Sequence, residues 1–230
     1  MPRGLDDDMI SPRGDLVAFD SGAVTAVVMM CGLPASGKTT TAGRIHAHAG
    51  GLLIRSCDVY QALGISLPAW VERTRGFSVN VHEYDRLRDR AYEEMRRRLE
   101  TGLDRQRVAI LDGVYGERSK REAVYALCRS RGVELALVLC RCDDPNEVAR
   151  RFERRRGRES VPENEASDPT VFQDIARRWQ PPQADRFEDG ERPTIITYDT
   201  CAGELTVAGA DDAPLVRLVR AALDGSGPPA

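Results

Sequence analysis

The octapeptide Gly32-Leu33-Pro34-Ala35-Ser36-Gly37-Lys38-Thr39 carries the spacing G-x-x-x-x-G-K-[ST]. Its glycines let the backbone turn back so that several N–H groups point into one concavity. That nest, with a helix N-terminus behind it, suits the oxygens of a phosphate chain. Lys38 would set a point charge on the β- and γ-phosphates, the Thr39 hydroxyl could ligate Mg²⁺, and Thr40 would extend the cradle by one residue. Lysine stands at only two positions, 38 and 120, among 33 basic residues. The run implies a bound nucleoside triphosphate.

Other chemistry-bearing residues follow apolar runs. Asp58 ends the stretch Leu52-Leu53-Ile54-Arg55-Ser56-Cys57. A carboxylate there could hold an acceptor hydroxyl near the γ-phosphate and take its proton as general base. It could equally be the N-cap of a helix starting at Val59. Asp112 closes Val108-Ala109-Ile110-Leu111 and precedes Gly113. That position suits a carboxylate holding Mg²⁺ directly or through water, and it also suits a turn. The segment 150–158 holds six arginines, of which Arg151 and Arg155 are the candidates to swing over a transferring phosphoryl group. Like charges at i,i+4, Arg150/Arg154 and Arg151/Arg155, cost helix stability unless an anion offsets them. A non-periodic stretch between Tyr60 and Tyr84 contains Trp70, Arg73, Arg75, Phe77 and His82. Tyr60, Arg73, Arg75 and His82, with Tyr115 further on, are candidate acceptor contacts; Trp70 and Phe77 could as well pack a subdomain.

Those positions make sense only on alternating elements. Strand-like runs fall at 24–30, 52–57, 107–111, 133–142 and 194–198. Helical patterns fill 38–48, 82–100, 118–131, 145–156, 169–179 and 212–223. Asp144-Pro145-Asn146-Glu147 is a helix start, with Asp at the N-cap, Pro at N1 and Glu at N3. Near-continuous apolar strands between helices indicate a parallel sheet covered on both faces, with ligands at the carboxyl ends of its strands. Residues 1–22 read as a loose extension, 23–223 as a single domain with a lid near 145–168, and 224–230 as a disordered tail.

Composition narrows the classes further. A net charge of -3 over 230 residues gives no basic surplus for non-specific nucleic-acid binding. No apolar run is long enough to cross a bilayer, and the acidic N-terminus lacks a signal-peptide core. The six cysteines are scattered, and most lie in apolar segments. Cys140-x-Cys142 lacks zinc spacing and reads as buried thiols, in a reduced, cytoplasmic protein.

Taken together, the loop at 32–40, Cys57-Asp58, Leu111-Asp112 and the arginine lid resemble a P-loop kinase. The set is similar to the AAA_33-type group that includes zeta toxins, chloramphenicol phosphotransferases and polynucleotide kinases. Glu165-Ala166-Ser167-Asp168-Pro169, Trp179-Gln180-Pro181-Pro182 and Tyr198-Asp199-Thr200 are similar to the later part of that group. The resemblance spans about 24–200. It implies a P-loop NTPase three-layer αβα fold with a five-stranded parallel sheet in the order 2-3-1-4-5. It also implies ATP as donor, Mg²⁺, a hydroxyl acceptor, and Asp58 as the general base. Many relatives carry Arg three residues after that Asp, where this chain has Gln61. The expected activity is phosphoryl transfer from ATP to a small-molecule hydroxyl: an antibiotic, a sugar, a nucleoside or another metabolite. A polynucleotide 5′-hydroxyl kinase and a nucleotide-driven switch without a phosphorylated substrate are the alternatives.

Overall fold

The computed structural model describes residues 26–65, 81–156 and 169–225. Strand β1 (Ala26–Cys31) is followed by α1 (Lys38–Ala49), β2 (Leu52–Arg55), α2 (Ser56–Ala62), α3 (Val81–Leu103) and β3 (Val108–Asp112). Then come α4 (Arg118–Ser130), β4 (Glu134–Arg141), α5 (Pro145–Arg156), α6 (Pro169–Arg177), a 3-10 turn at Pro182–Ala184, β5 (Thr194–Asp199), β6 (Glu204–Ala208) and α7 (Pro214–Leu223). The strands lie in the order β2-β3-β1-β4-β5-β6. The first five are parallel in the expected order, and β6 runs antiparallel to β5. The sheet therefore has six strands rather than five. The hairpin partner was missed because β6 is a half-exposed edge whose burial alternates residue by residue.

Continuous apolar strands fill both layers. In β1, Val27, Met29 and Cys31 pack on one face with α3 and α4, while Ala26, Val28 and Met30 pack on the other with α1 and α7. All six β1 residues are buried, as are all five of β3. Helix α7 starts with Pro214 at its first position and lays Leu215, Val216, Leu218, Val219, Ala222 and Leu223 against α1 and the sheet. Among the described residues no helix is long and apolar enough to cross a membrane.

Two local expectations change. Strand β2 stops at Arg55, where its pairing with Asp112 ends, and α2 already begins at Ser56. Asp58 thus sits inside the first turn of α2, and Arg55, not Asp58, is the N-cap. Cys142 falls one residue beyond β4 and is joined to Cys201, just past β5, by a disulfide. The reading of Cys140-x-Cys142 as two buried thiols fails at Cys142. Strand pairing of Arg141 with Asp199 carries the two sulfurs together from 59 residues apart.

A buried ion pair fixes the loop after β3. The Arg121 guanidinium donates from Nε and Nη2 to the two Asp185 oxygens at 2.6 and 2.7 Å. Its Nη1 reaches the Tyr115 carbonyl at 3.0 Å, and the Tyr125 hydroxyl donates to Asp185 at 2.9 Å. Arg121 is 0% and Asp185 1% exposed. A charge at that depth is tolerable only with its partner present. Replacing Asp185 with Ala should therefore lower the unfolding free energy by about 3–5 kcal/mol in urea titration. The pair Arg121→Met/Asp185→Leu should recover part of it. A loss below about 1 kcal/mol for Asp185→Ala would show that the ion pair is not the tie we describe.

Candidate active site

Loop 32–37 links β1 to α1 across the carboxyl end of the sheet. Gly32 takes φ +148° and Gly37 φ +89°. At Gly32 a Cβ would lie 2.5 Å from the Cys140 carbonyl oxygen, and at Gly37 one would lie 2.9 Å from the Thr200 side chain. Both glycines are required by close approach as well as by backbone angle. Helix α1 has no side-chain cap and no acidic residue in its first turn. Its N–H groups and its positive end are thus left for an anion.

Lys38 is 8% exposed and folds back over the loop, donating to the Leu33 carbonyl at 2.7 Å, with Ser36 Oγ at 3.5 Å. Burial pushes its pKa below the usual lysine value, Asp112 pulls it back up, and Arg155 pushes it further down. Asp112 is 4% exposed at the end of β3, with Arg55 Nε 3.7 Å from one carboxylate oxygen. A lysine at the start of the helix that follows β1, with a carboxylate at the end of the adjacent strand β3, fits a phosphate chain with its Mg²⁺. A magnesium ion needs only one or two protein carboxylates when the phosphates supply the rest. Thr39 is half-buried on the first turn of α1 beside Lys38; Thr40 is exposed. Asp58 is exposed, at the carboxyl end of β2, and accepts a hydrogen bond from the Cys57 thiol at 3.4 Å.

The arginine helix reaches the loop through one residue above all. Arg151 Nη1 donates to the Ala35 carbonyl at 3.0 Å and to Thr200 Oγ1 at 2.9 Å; its Nη2 reaches the Thr200 carbonyl at 3.3 Å. Its Nε is held by Glu147 at 2.8 Å, and the same carboxylate takes Arg150 Nε at 2.6 Å. Those bonds, Arg151 first and then Arg150, hold the Glu147 carboxyl below the usual range. Part of the repulsion along α5 is thus offset within the chain, by a glutamate one turn earlier that the sequence reading used only as a helix-start signal. Arg155 lies close enough to influence Lys38. Arg154 is exposed.

No local motif marks Thr200 as a site residue. Its hydroxyl donates to the Ser36 carbonyl at 2.9 Å or to the Arg141 carbonyl at 3.0 Å, and its amide donates to Arg141 at 2.9 Å. It clamps the phosphate loop to the ends of β4 and β5.

A cavity of about 280 Å³ opens beside the loop. Gly32, Leu33, Pro34 and Ser36 form one wall, and Phe172, Trp179 and Gln183 the opposite one, with Arg141, Cys142 and Asp143 along the end of β4. Trp179 is seated by the loop after β3: Gln180 donates to the Gly116 carbonyl, and the Arg118 amide donates to Gln180 Oε1. Among the described residues, the wall facing the phosphate loop comes from after α5, at Phe172, Trp179 and Gln183; residues 66–80, where the candidate contacts Arg73 and Arg75 fall, lie outside the described residues. The quoted Trp179-Gln180-Pro181-Pro182 run was its signal.

Several candidate contacts sit elsewhere. Tyr60 is buried in the core beside Ile65. Tyr115 is 1% exposed, with φ +44° and its ring edge-on to Tyr92 at 4.9 Å. Its carbonyl, not its ring, faces the phosphate-loop side, accepting from the Cys31 thiol at 3.3 Å. Both tyrosines follow strand ends, but adjacency in sequence does not fix which way a side chain points. Arg73, Arg75, Trp70, Phe77, Arg158 and the side chain of His82 lie outside the described residues.

No curated protein is similar in sequence. Solved structures that share the fold at low identity include the following. A putative kinase from Chloroflexus aurantiacus aligns at 17% identity and TM-score 0.54, over 90% of this chain and 100% of its own. Kti12 from Chaetomium thermophilum, in complex with ADP-AlF3, aligns at 19% and 0.52, over 86% and 95%. A sugar kinase from Janibacter sp. aligns at 18% and 0.51, over 87% and 93%. The AAA domain model AAA_33 matches residues 27–182, more than half of the chain and spanning the phosphate loop, Asp112, Arg151 and Trp179. The chain belongs to the AAA_33 family of AAA domains.

Proposed function

We propose that this protein is an ATP-dependent kinase that transfers the γ-phosphoryl group to a hydroxyl of a small metabolite. The observation that carries the reading is the convergence on one loop of three features. These are an uncapped, glycine-hinged helix start, a buried lysine on that helix within electrostatic reach of Asp112 at the end of β3, and a lid helix that reaches over through Arg151. The fold relatives that are named as a sugar kinase and a putative kinase support it.

In this reading the α1 amides and Lys38 hold the β- and γ-phosphates of ATP, with Thr39 and Asp112 holding Mg²⁺. When bound there, Mg²⁺ would supply Lewis-acid neutralisation of charge on the phosphate oxygens. Asp58 orients the acceptor hydroxyl and takes its proton as attack proceeds. Arg155, and Arg151 once freed from Ala35 and Thr200, neutralise charge on the moving phosphoryl group and shed water from it. The cavity against Phe172 and Trp179, on the β4 side of the phosphate loop, takes the body of the acceptor: about 280 Å³ fits a molecule of monosaccharide size, and its hydroxyl must reach across the loop to Asp58, which lines the separate groove at β2. We assign the protein to the cytoplasm on its four buried free thiols.

One observation favours a second reading. A groove of about 350 Å³ along the open edge of β2 is lined by Arg55, Arg97, Arg98 and Arg105 and ends at Asp58. A basic track leading to the candidate base suits the 5′ end of a polynucleotide. Arg97 and Arg98 are largely occupied by Glu94, which weakens that track.

Radiolabelled ATP offered with monosaccharides, polyols, nucleosides, hydroxylated antibiotics and a 5′-hydroxyl oligonucleotide should label a small molecule. Label on the oligonucleotide alone would select the second reading, and hydrolysis without any labelled acceptor would sink both. Lys38→Ala should abolish ATP binding in equilibrium dialysis; unchanged affinity would remove the phosphate-loop assignment. Asp58→Asn should bind ATP as before and lose phosphoryl transfer by about 10²-fold or more. Full turnover in that variant would take Asp58 out of the mechanism. Trp179→Ala should raise the acceptor KM by about tenfold while leaving that for ATP alone, whereas the converse would put the nucleotide in this cavity.

A further inference from the structure

Two cysteines flank the phosphate loop on neighbouring strand ends. Cys142 opens the 142–144 hinge between β4 and the lid helix α5, and it lines the cavity beside Leu33 and Ser36. Cys201 lies in the turn between β5 and β6, exposed to solvent. Their Cα atoms are 5.7 Å apart, within the range a disulfide spans. The Asp199 carboxylate presets that turn, accepting from the Cys201 amide at 2.8 Å and the Ala202 amide at 3.1 Å. Arg151 ties the pair to the site: its Nη2 lies 3.8 Å from Cys201 Sγ, while its Nη1 holds the Ala35 carbonyl.

The other four cysteines are buried and unpaired. Burial pushes the thiols of Cys31, Cys128 and Cys140 up to about 12, and that of Cys57 up to about 11. They stay protonated and shielded near neutral pH, so oxidant chemistry is confined to Cys142 and Cys201. Disulfides in reducing compartments are usually transient.

We infer that Cys142 and Cys201 form a reversible thiol–disulfide couple, oxidised by a small disulfide of the glutathione class, that staples the root of α5 and slows nucleotide exchange. Cys201 is the attacking thiol, because it is exposed and has a guanidinium beside its sulfur. It loses its proton and attacks the small disulfide, forming a mixed disulfide and releasing one thiolate, which takes up a proton. The half-buried Cys142 then loses its proton and attacks the mixed disulfide at Cys201. The second small thiolate leaves and is protonated in turn. The protein loses two hydrogens, and one small disulfide becomes two thiols. With the bond closed, the hinge at 142–144 is fixed to the turn at 200–203, and Arg151 is kept on the Ala35 and Thr200 carbonyls. With it open, α5 can lift with Arg151 and Arg155.

The effect on exchange rests on the nucleotide-binding reading; the couple itself does not. The full chain is equilibrated in glutathione buffers from reducing to oxidising, alkylated and mapped by mass. A bond between the peptides holding 142 and 201 should form and be lost reversibly. Dissociation of a fluorescent ADP should be about fivefold or more slower from the oxidised protein, and Cys201→Ser should give the fast rate in every buffer. If the reduced protein binds no nucleotide, amide hydrogen exchange decides instead: residues 142–156 should exchange more slowly when oxidised. A bond that never forms, one that resists the reducing buffer, equal rates in both states, or a Cys201→Ser variant still sensitive to oxidant would overturn the inference.

Discussion

A buried ammonium governs this site. Lys38 sits at the mouth of a six-stranded sheet with, among the described residues, the Leu33 carbonyl and the Ser36 hydroxyl as its direct partners, while Asp112 acts on it from the end of β3. A positive charge at that depth is costly without an anion. The surrounding structure is what an anion would need: a helix start without a side-chain cap, a glycine-hinged loop leading into it, and Arg151 of α5 held against that loop.

Strand order makes that arrangement possible. Because β1 lies between β3 and β4, its loop receives Asp112 from one side and the ends of β4 and β5 from the other. Thr200 and the Cys140 carbonyl leave no room for a side chain at Gly37 or Gly32, so the loop is held in shape before any ligand arrives. On the opposite face, Arg121 and Asp185 pin the loop after β3, and that loop in turn seats Trp179. The phosphate loop and the cavity wall at Trp179 are therefore linked through the backbone of 113–117, which accepts from the Gly32 amide at Val114 and from the Gln180 amide at Gly116.

What the sequence revealed followed from local pattern. The phosphate loop is a contiguous motif, and apolar strands alternating with helices specify a parallel sheet; the order of the first five strands followed only from the family resemblance. What it hid depends on tertiary contact. Cys142 and Cys201 meet only because Arg141 pairs with Asp199. Thr200 matters only because Gly37 comes within reach, and Glu147 offsets α5 only once the helix turns it beneath Arg150 and Arg151. Tyr60 and Tyr115 follow strand ends as candidate contacts should, yet both rings turn into the core. The β2 end was misjudged because Ser56 and Cys57 are as compatible with a strand as with the first turn of α2.

The central claim is that loop 32–39 and helix α5 close on the same triphosphate. Amide hydrogen exchange of the reduced full chain, with and without ATP and Mg²⁺, tests it directly. The nucleotide should slow exchange in peptides covering 33–41 and 145–156 together, by about tenfold or more. Protection of the loop without α5 would contradict the closing role of the arginine helix. Protection of neither would contradict the site itself.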